Sequence, residues 1–387
     1  MTIVVTGAGS GGHITPVLAV AHELKKQQED IRIVYIGQKG DSLADVPAAD
    51  QNIDEVFLIQ AGKLRRYHGE GWRQLLDVPT MWKNIRDAGR VVVGFFQSLQ
   101  LLRKIRPEVI FIKGGFVGVP IGLAAALLHI PYITHDSDAL PGLANRIIAP
   151  WAKKHAVGLP KEIYNYPPDK TITVGVPLAH HYTPFSAKEV VEARKQLGLR
   201  VKEKIVLITG GGLGAKRLND AVVACSRELL DRYPDLTLVH IAGRSLEVPL
   251  RQAYKEHLSA KEFENRLVVK GFVTNLYMYA GAADVVITRA GATSIAEFAA
   301  LKKACIVIPN PLLTGGHQLK NAKVLADRHA VKLVGEDRLL EDEHALMPPL
   351  VELLDNPKMA AELGNRLSDI TEPDSAKRLA MLLLEVA

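Results

Sequence analysis

One piece of local grammar occurs four times in these 387 residues: a short apolar strand, a glycine-rich loop and the start of a helix. The first instance runs from TIVVT through GAGSGG into ITPVLAVAHELKKQ, where Val17, Leu18, Val20, Ala21 and Leu24 recur at helical spacing. The second joins a strand at Val109–Ile112 to a helix from about Pro120 through Gly114-Gly115-Phe116-Val117-Gly118. The third joins Ile205–Thr209 to a helix through Gly210 to Gly214, and in the fourth Ala290-Gly291-Ala292-Thr293-Ser294 opens the helix. A tight strand-to-helix turn needs glycine for backbone reasons alone, so one such loop says little. Four of them, two in each half of a chain that alternates strand and helix throughout, point to an α/β fold with parallel sheets. The length and a hydrophobic fraction of 48% favour two domains, each with its own core.

Gly7, Gly9 and Gly12 fit G-x-G-x-x-G, the dinucleotide-binding fingerprint. A NAD site also needs an acidic residue at the end of the second strand, to bind ribose hydroxyls. Here that strand, IRIVYIG, is followed by Gln38 and Lys39, and the acid is missing. His13 follows the last glycine instead, where a dinucleotide loop has no use for a titratable group. The loop therefore reads as a site for some other phosphate-bearing ligand, facing a potential base. Taken alone, His13 is equally a helix N-terminal histidine of no special role. Backbone N–H groups at helix starts attract negative charge, and ligands of open α/β sheets bind beyond the carboxyl ends of the strands. Two such sheets facing each other would gather four loops around two phosphate-bearing substrates. Glu297 lies about one helical turn beyond Thr293. There its carboxylate is in reach of the ribose of a nucleotide whose phosphates sit on the helix start; in isolation it is a solvated helix glutamate.

The formal charge of +6 is unevenly distributed. Between residues 63 and 106 ten lysines and arginines face three acidic residues, interleaved with Trp72, Leu75, Leu76, Met81, Trp82 and Ile85. Basic residues beside tryptophan and leucine on an amphipathic segment suit an anionic membrane surface. A core helix with solvated basic residues is the plainer alternative. No nucleic-acid motif accompanies the charge, so no nucleic-acid partner is expected. The longest apolar run, Val117 to Ile133, is interrupted by Pro120, Gly122, His129 and Pro131 and is too short to span a bilayer. A strand beginning at Thr2 argues against a secretory leader. Cys225 and Cys305 stand in apolar settings and read as small buried hydrophobes. His135, Asp136 and Asp138 are close enough in sequence to gather a metal; an active-site loop at a strand end is the competing reading.

Four segments, GAGSGGHITPVLAVAHEL, KGGFVGVPIGLAAALLHIPYITHDSDALPGLANR, LITGGGLGAKRLNDAV and TRAGATSIAEFAALKKACIVIPNPLLTGGHQLKNA, resemble the MurG family of glycosyltransferases. They occur in the family's order over nearly the whole chain, and HDSDALPGLANR with RAGATSIAEFAALKK is the most specific part. The resemblance implies the GT-B architecture, with two Rossmann-like, doubly wound parallel-sheet domains and an interdomain cleft. It implies inverting transfer of N-acetylglucosamine from UDP-N-acetylglucosamine to the undecaprenyl-pyrophosphoryl-N-acetylmuramoyl-pentapeptide lipid. No cofactor or catalytic metal is implied, and the place of work is the cytoplasmic face of the cell membrane, peripherally.

By position the resemblance puts Phe272 and Val273 beside the uracil and Glu297 on the ribose hydroxyls. Gly291, Ala292 and Thr293 take the diphosphate, with Gly211, Gly212 and Gly214 closing nearby, and Gln318 holds the sugar. On the acceptor side Ser10, Gly11, Gly12 and His13 meet the lipid pyrophosphate together with Gly114 and Gly115, and Asp138 and Asn145 line the cleft. His13 is the first candidate for general base, since imidazole titrates near neutral pH, and Asp138 the second. The chain departs from the family at Gly212-Leu213, at His317-Gln318, and at Ala179, where the family commonly has arginine; His180 or His181 are candidates to replace it. Two other readings stay open: a different UDP-sugar enzyme of the same architecture (a diacylglycerol glycosyltransferase or a UDP-N-acetylglucosamine 2-epimerase), and a non-catalytic, membrane-associated nucleotide-binding protein. The expected boundaries are 1–159, a linker at 160–170 rich in proline and charge, 171–369, and a helix at 370–387 that returns to the first domain.

Overall fold

The computed structural model describes the chain apart from Ser10, Ser42, residues 63–77, 212–213 and 313–315, and Pro373; at 78–81 and 83 it describes the backbone alone. The chain forms two compact units, Met1–His180 with Glu372–Ala387, and His181–Thr371.

The first unit is built on seven parallel strands: β1 (Thr2–Thr6), β2 (Arg32–Gln38), β3 (Glu55–Ile59), β4 (Val109–Ile112), β5 (Tyr132–Asp136), β6 (Lys154–Val157) and β7 (Thr171–Thr173). Their order is β3-β2-β1-β4-β5-β6-β7, with Val4 in register with Val34 on one side and Ile110 on the other. The central strands are apolar at nearly every position because helices cover both faces. Alternate residues point to opposite sides. Ile3, Val5, Ile33, Val109 and Phe111 pack with Val17, Val20 and Leu24 of the helix Gly11–Gln27, and with Leu379 and Leu383 of the final helix Ser375–Val386. Val4, Val34, Ile36, Ile110 and Ile112 pack with Leu99 and Leu102 of the helix Val78–Ile105, and with Ile121 and Ala124 of the helix Gly118–Leu127.

The second unit repeats the plan with β8 (Lys204–Thr209), β9 (Leu236–Ile241), β10 (Leu267–Lys270), β11 (Val285–Thr288), β12 (Ala304–Val307) and β13 (Lys332–Leu333), all parallel, in the order β10-β9-β8-β11-β12-β13. In each sheet the chain winds outward from its first strand, then returns to that strand's other side. The points of reversal lie between β1 and β4 and between β8 and β11. Ligands of doubly wound sheets bind at such switch points. The glycine loops follow these four strands, so each unit brings its own pair of loops together there. Cys225 and Cys305 are buried, unpaired thiols.

Residues 160–170 pack on the first unit: Lys161–Ile163 form a short 3-10 turn, and the chain continues into β7, which pairs with β6. Two tyrosines fix the segment to the loop after β5, Tyr164 donating to the Asp138 carbonyl at 3.0 Å and Tyr166 to Asp136 Oδ2 at 2.8 Å. Proline and charge mark the segment as surface chain, whereas its attachment rests on aromatic hydroxyls that composition does not weigh. The crossing points are His180–His181 and Thr371–Glu372.

Candidate active site

At the switch point of the first sheet, the helix Gly11–Gln27 carries His13 in its opening turn. Gly114 and Gly115, which follow β4, have φ values of +104° and +80°, a region open to glycine and strained for other residues. A Cβ on Gly115 would stand 2.8 Å from the Ala8 carbonyl oxygen, so the two glycine loops are in direct contact. A Cβ on Gly114 would meet Asn145 Nδ2 at 3.6 Å and His13 Cδ2 at 3.8 Å. Gly114, Gly115, His13 and Asn145 therefore form one cluster, as the sequence reading expects. Asn145, on the helix Leu143–Ile148, is buried and donates from Nδ2 to the His135 carbonyl at 2.9 Å. Asp138 lies in the same electrostatic neighbourhood and acts on His13 through space. Gly11 and Gly12 begin the His13 helix; Ser10 lies outside the described residues.

Burial lowers the His13 pKa to about 4, Lys113 adds to the lowering, and Asp138 and Asp41 oppose it. The imidazole is therefore neutral at pH 7 with an open lone pair, but it is a weaker base than the near-neutral imidazole that the sequence reading assumes. Two contributors were not singled out by sequence. Asp41, from the loop after β2, accepts from the Gly9 N–H at 2.8 Å and sets the first glycine loop. Lys113, the residue before Gly114, is buried and donates to Ser137 Oγ at 2.9 Å.

His135 and Asp136 are engaged in different directions. His135 Nε2 meets the Gly175 carbonyl at 2.8 Å, while Asp136 accepts from Gly142 N at 2.9 Å and from Tyr166. Among the described residues no group of three His, Cys, Asp or Glu is placed to hold a metal ion. These side chains brace the loop after β5.

In the second unit the helices Lys216–Arg232 and Ala292–Ala300 start at the β8/β11 switch point. Neither has a side-chain cap or an acidic residue in its first turn, and the same holds for Gly118–Leu127 in the first unit. Ala187–Gln196 and Ala260–Arg266 open with complete capping boxes from Ser186/Glu189 and Ser259/Glu262, while uncapped starts also occur away from the glycine loops, at Met347–Asp355 and Ser375–Val386. A capping box satisfies first-turn N–H groups and offsets the positive end of the helix dipole. Its absence leaves the first-turn N–H groups and the dipole uncompensated by the helix's own side chains. Gly291 is the N-cap of Ala292–Ala300, so Gly291, Ala292 and Thr293 line that start.

A Cβ on Gly214 would lie 2.3 Å from the Ala242 carbonyl, which explains glycine there; Gly211 has φ +83°, and Gly212 lies outside the described residues. The two loops share a brace. Glu336 accepts from Arg217 at 2.7 Å and pairs with Arg289 at 2.5 Å; Arg217 lies on the helix after the third loop and Arg289 opens the fourth.

Glu297 sits one turn into Ala292–Ala300 and receives the Tyr182 hydroxyl. Burial raises its pKa to about 7 against the lowering effect of that bond. It is not the solvated helix glutamate of the plainer reading. Phe272 presents an exposed ring with the Arg244 guanidinium 3.8 Å from its centroid, while Val273 packs into the core beside it. Gln318 is buried and its Oε1 accepts from Asn310 N at 2.9 Å. His180 stacks on His22 with centroids 5.4 Å apart, and His181 packs against Tyr277 at 4.2 Å.

The basic segment divides. Trp72, Leu75 and Leu76 lie outside the described residues, as does the side chain of Met81. In the helix Val78–Ile105, Leu99, Leu102 and Ile105 face the core, whereas Trp82 (68% exposed), Ile85 (59%), Val92 (56%), Val93 (49%) and Phe96 (62%) face outward. Their spacing follows one side of a helix, and Arg86 and Arg90 stand beside them with about half of each side chain exposed. Val92, Val93 and Phe96 were not singled out by sequence. Among the described residues no helix is long and apolar enough to cross a membrane.

Residues 3–157 match the family model for the glycosyltransferase family 28 N-terminal domain, and residues 205–379 that for the C-terminal domain. A protein of Natranaerobius thermophilus is 30% identical over 385 residues, covering 99% of each chain. It is named UDP-N-acetylglucosamine–N-acetylmuramyl-(pentapeptide) pyrophosphoryl-undecaprenol N-acetylglucosamine transferase. Its namesake in Bacillus licheniformis is 32% identical over 387 residues, covering 100% of this chain and 99% of its own. The crystal structure of Acinetobacter baumannii MurG matches the fold with a TM-score of 0.72 over 99% of both chains, at 24% identity. With both units matched and its whole length shared with such relatives, the chain belongs to the MurG family of glycosyltransferases.

Proposed function

We propose that this glycosyltransferase moves N-acetylglucosamine from UDP-N-acetylglucosamine to the undecaprenyl-pyrophosphoryl-N-acetylmuramoyl-pentapeptide lipid, in peptidoglycan synthesis. The observation that carries this reading is the full-length likeness, at 30–32% identity, to transferases named for that donor and acceptor. These relatives lend no support to the epimerase, the diacylglycerol transferase or a non-catalytic binder.

The chemistry follows from the two clusters. An acceptor hydroxyl attacks the anomeric carbon from the face opposite UDP, the glycosidic bond to the diphosphate breaks, and the configuration inverts. Neutral His13 takes the hydroxyl proton, with Asp138 as the second candidate; Gly114, Gly115 and Asn145 seat the acceptor's diphosphate end. On the second unit, Gly291, Ala292, Thr293 and the Gly211–Gly214 loop receive the charge that builds on departing UDP. Uncapped N–H groups supply fixed positive ends without reorganising, the arrangement that most lowers the cost of a developing anion. Glu297 accepts from the ribose hydroxyls, Phe272 and Val273 flank the uracil, and the Gln318 NH₂ meets the sugar.

The exposed face from Trp82 to Phe96, with Arg86 and Arg90, supports a peripheral seat on an anionic bilayer, on its cytoplasmic side. The deciding experiment incubates the protein with UDP-N-acetylglucosamine in the presence and absence of the lipid. Release of UDP that depends on the lipid, together with a lipid product heavier by one N-acetylglucosamine, is the expected result. UDP release or epimerised sugar without lipid would overturn the reading.

A further inference from the structure

Lys113 is the residue before the Gly114-Gly115 loop, and its backbone N–H donates to the Thr6 carbonyl of β1 at 3.0 Å. Its side chain is 4% exposed, and Nζ donates to Ser137 Oγ at 2.9 Å. Among the described residues that is its one hydrogen bond, and it makes no contact ion pair; Asp136 and Asp138 act on it only through space. An ammonium carries three N–H donors, so two are left over in a buried place. Burying a charge without a partner is costly, and burial here draws the lysine down to about 8.

Lys303 provides the contrast. Burial draws it down to about 8 as well, yet its Nζ donates to two carbonyls, Gly281 at 2.8 Å and Ala283 at 2.9 Å. That lysine is consumed by the fold, and Lys113 is not. A second buried polar atom of the same cluster is also unmatched: Asn145 Oδ1 has no hydrogen-bond partner and lies 3.7 Å from the Cβ position of Gly114.

We propose that Lys113 is a binding residue for the diphosphate of the lipid acceptor, its ammonium meeting the anion that Gly114 and Gly115 admit. The lysine is held in place by Ser137 and receives its counter-ion only when the acceptor arrives. This rests on the reading of the first unit as the acceptor side.

Lys113→Met keeps the length of the stem and removes the charge; Lys113→Arg keeps the charge. Calorimetric titration with inorganic pyrophosphate, at saturating UDP to occupy the donor site, tests the lysine without the reaction. Pyrophosphate affinity is expected to fall about 10- to 100-fold in Lys113→Met, the worth of a charge-assisted hydrogen bond, and less in Lys113→Arg. The acceptor KM is expected to rise by a similar factor while the donor KM stays within about twofold. The melting temperature of Lys113→Met is expected to hold or rise, because an unpaired buried charge is gone. Equal pyrophosphate affinity in wild type and Lys113→Met, or no binding by either, would overturn the proposal. So would a melting temperature that drops together with an equal rise in both KM values, which would mark Lys113 as structural. Should wild type fail to glycosylate the lipid, the functional reading falls, and the pyrophosphate titration still decides the lysine.

Discussion

His13 and Glu297 are shifted in opposite directions by one cause. Burial disfavours the charged form, so the imidazole falls to about 4 and the carboxyl rises to about 7. For His13 the outcome is an imidazole that is unprotonated throughout the neutral range. His13→Ala is expected to lower kcat by about 10²–10⁴-fold and to change the donor KM little; near-normal turnover would remove it from the mechanism. For Glu297 the shift predicts a pH dependence. Below about pH 7 the carboxyl is protonated and accepts ribose hydroxyls poorly, so UDP affinity should strengthen as pH rises from 6 to 8. Calorimetry on Glu297→Gln should show weaker binding with no such slope; a slope that survives would assign it to another group. The sequence singles out both positions because each stands at a fixed offset from a glycine loop. Lys113, Tyr182 and Arg244 are not singled out: their roles depend on which neighbour the fold gives them, and nothing in IKGG, HYTP or AGRS states it.

At the scale of elements, the helix Val78–Ile105 shows where a sequence pattern is ambiguous. Its positive charge and Trp82 are visible, but Val92, Val93 and Phe96 are equally good core residues until packing is known. Only the sheet decides that Leu99, Leu102 and Ile105 turn inward and the others outward. If the outward face sits on lipid, Trp82→Glu and Phe96→Glu should each weaken sedimentation with anionic vesicles roughly tenfold or more, the worth of withdrawing one large apolar side chain from lipid. High salt should weaken wild-type binding too, through Arg86 and Arg90. Binding that ignores both lipid charge and these substitutions would leave the face without this role. The glycine loops behaved differently. Strand, loop and helix start are local patterns of a few residues each, so all four were readable in advance. Their arrangement in pairs was not local, since it depends on the strand order β3-β2-β1-β4 and β10-β9-β8-β11.

For the molecule as a whole, stability is tied to buried neutral histidines in both units. His240, held between the Tyr254 hydroxyl at 2.8 Å and Asn219 Oδ1 at 3.0 Å, is lowered by burial to about 3, and His155 in the first unit to about 4. Unfolding returns each to its ordinary 6.5, so the unfolded chain binds more protons at any pH between 6.5 and the folded value. Their share of stability is complete above pH 6.5 and is lost as pH falls through that window. His240→Gln should therefore lose less stability than wild type between pH 6.5 and 5, by about 2 kcal/mol in urea unfolding; parallel losses would show that His240 is not the group responsible. A pair of parallel α/β units with two glycine loops apiece follows from the order of residues alone, because strand, turn and helix-start preferences act over a few residues. Where the units divide, which face of the basic helix is left bare, and which titratable groups are buried beside the loops come from the folded arrangement. Those outcomes depend on contacts between residues far apart in the chain, as when Tyr166 holds Asp136 or Leu383 closes the core over β1, and no short window of sequence contains both partners.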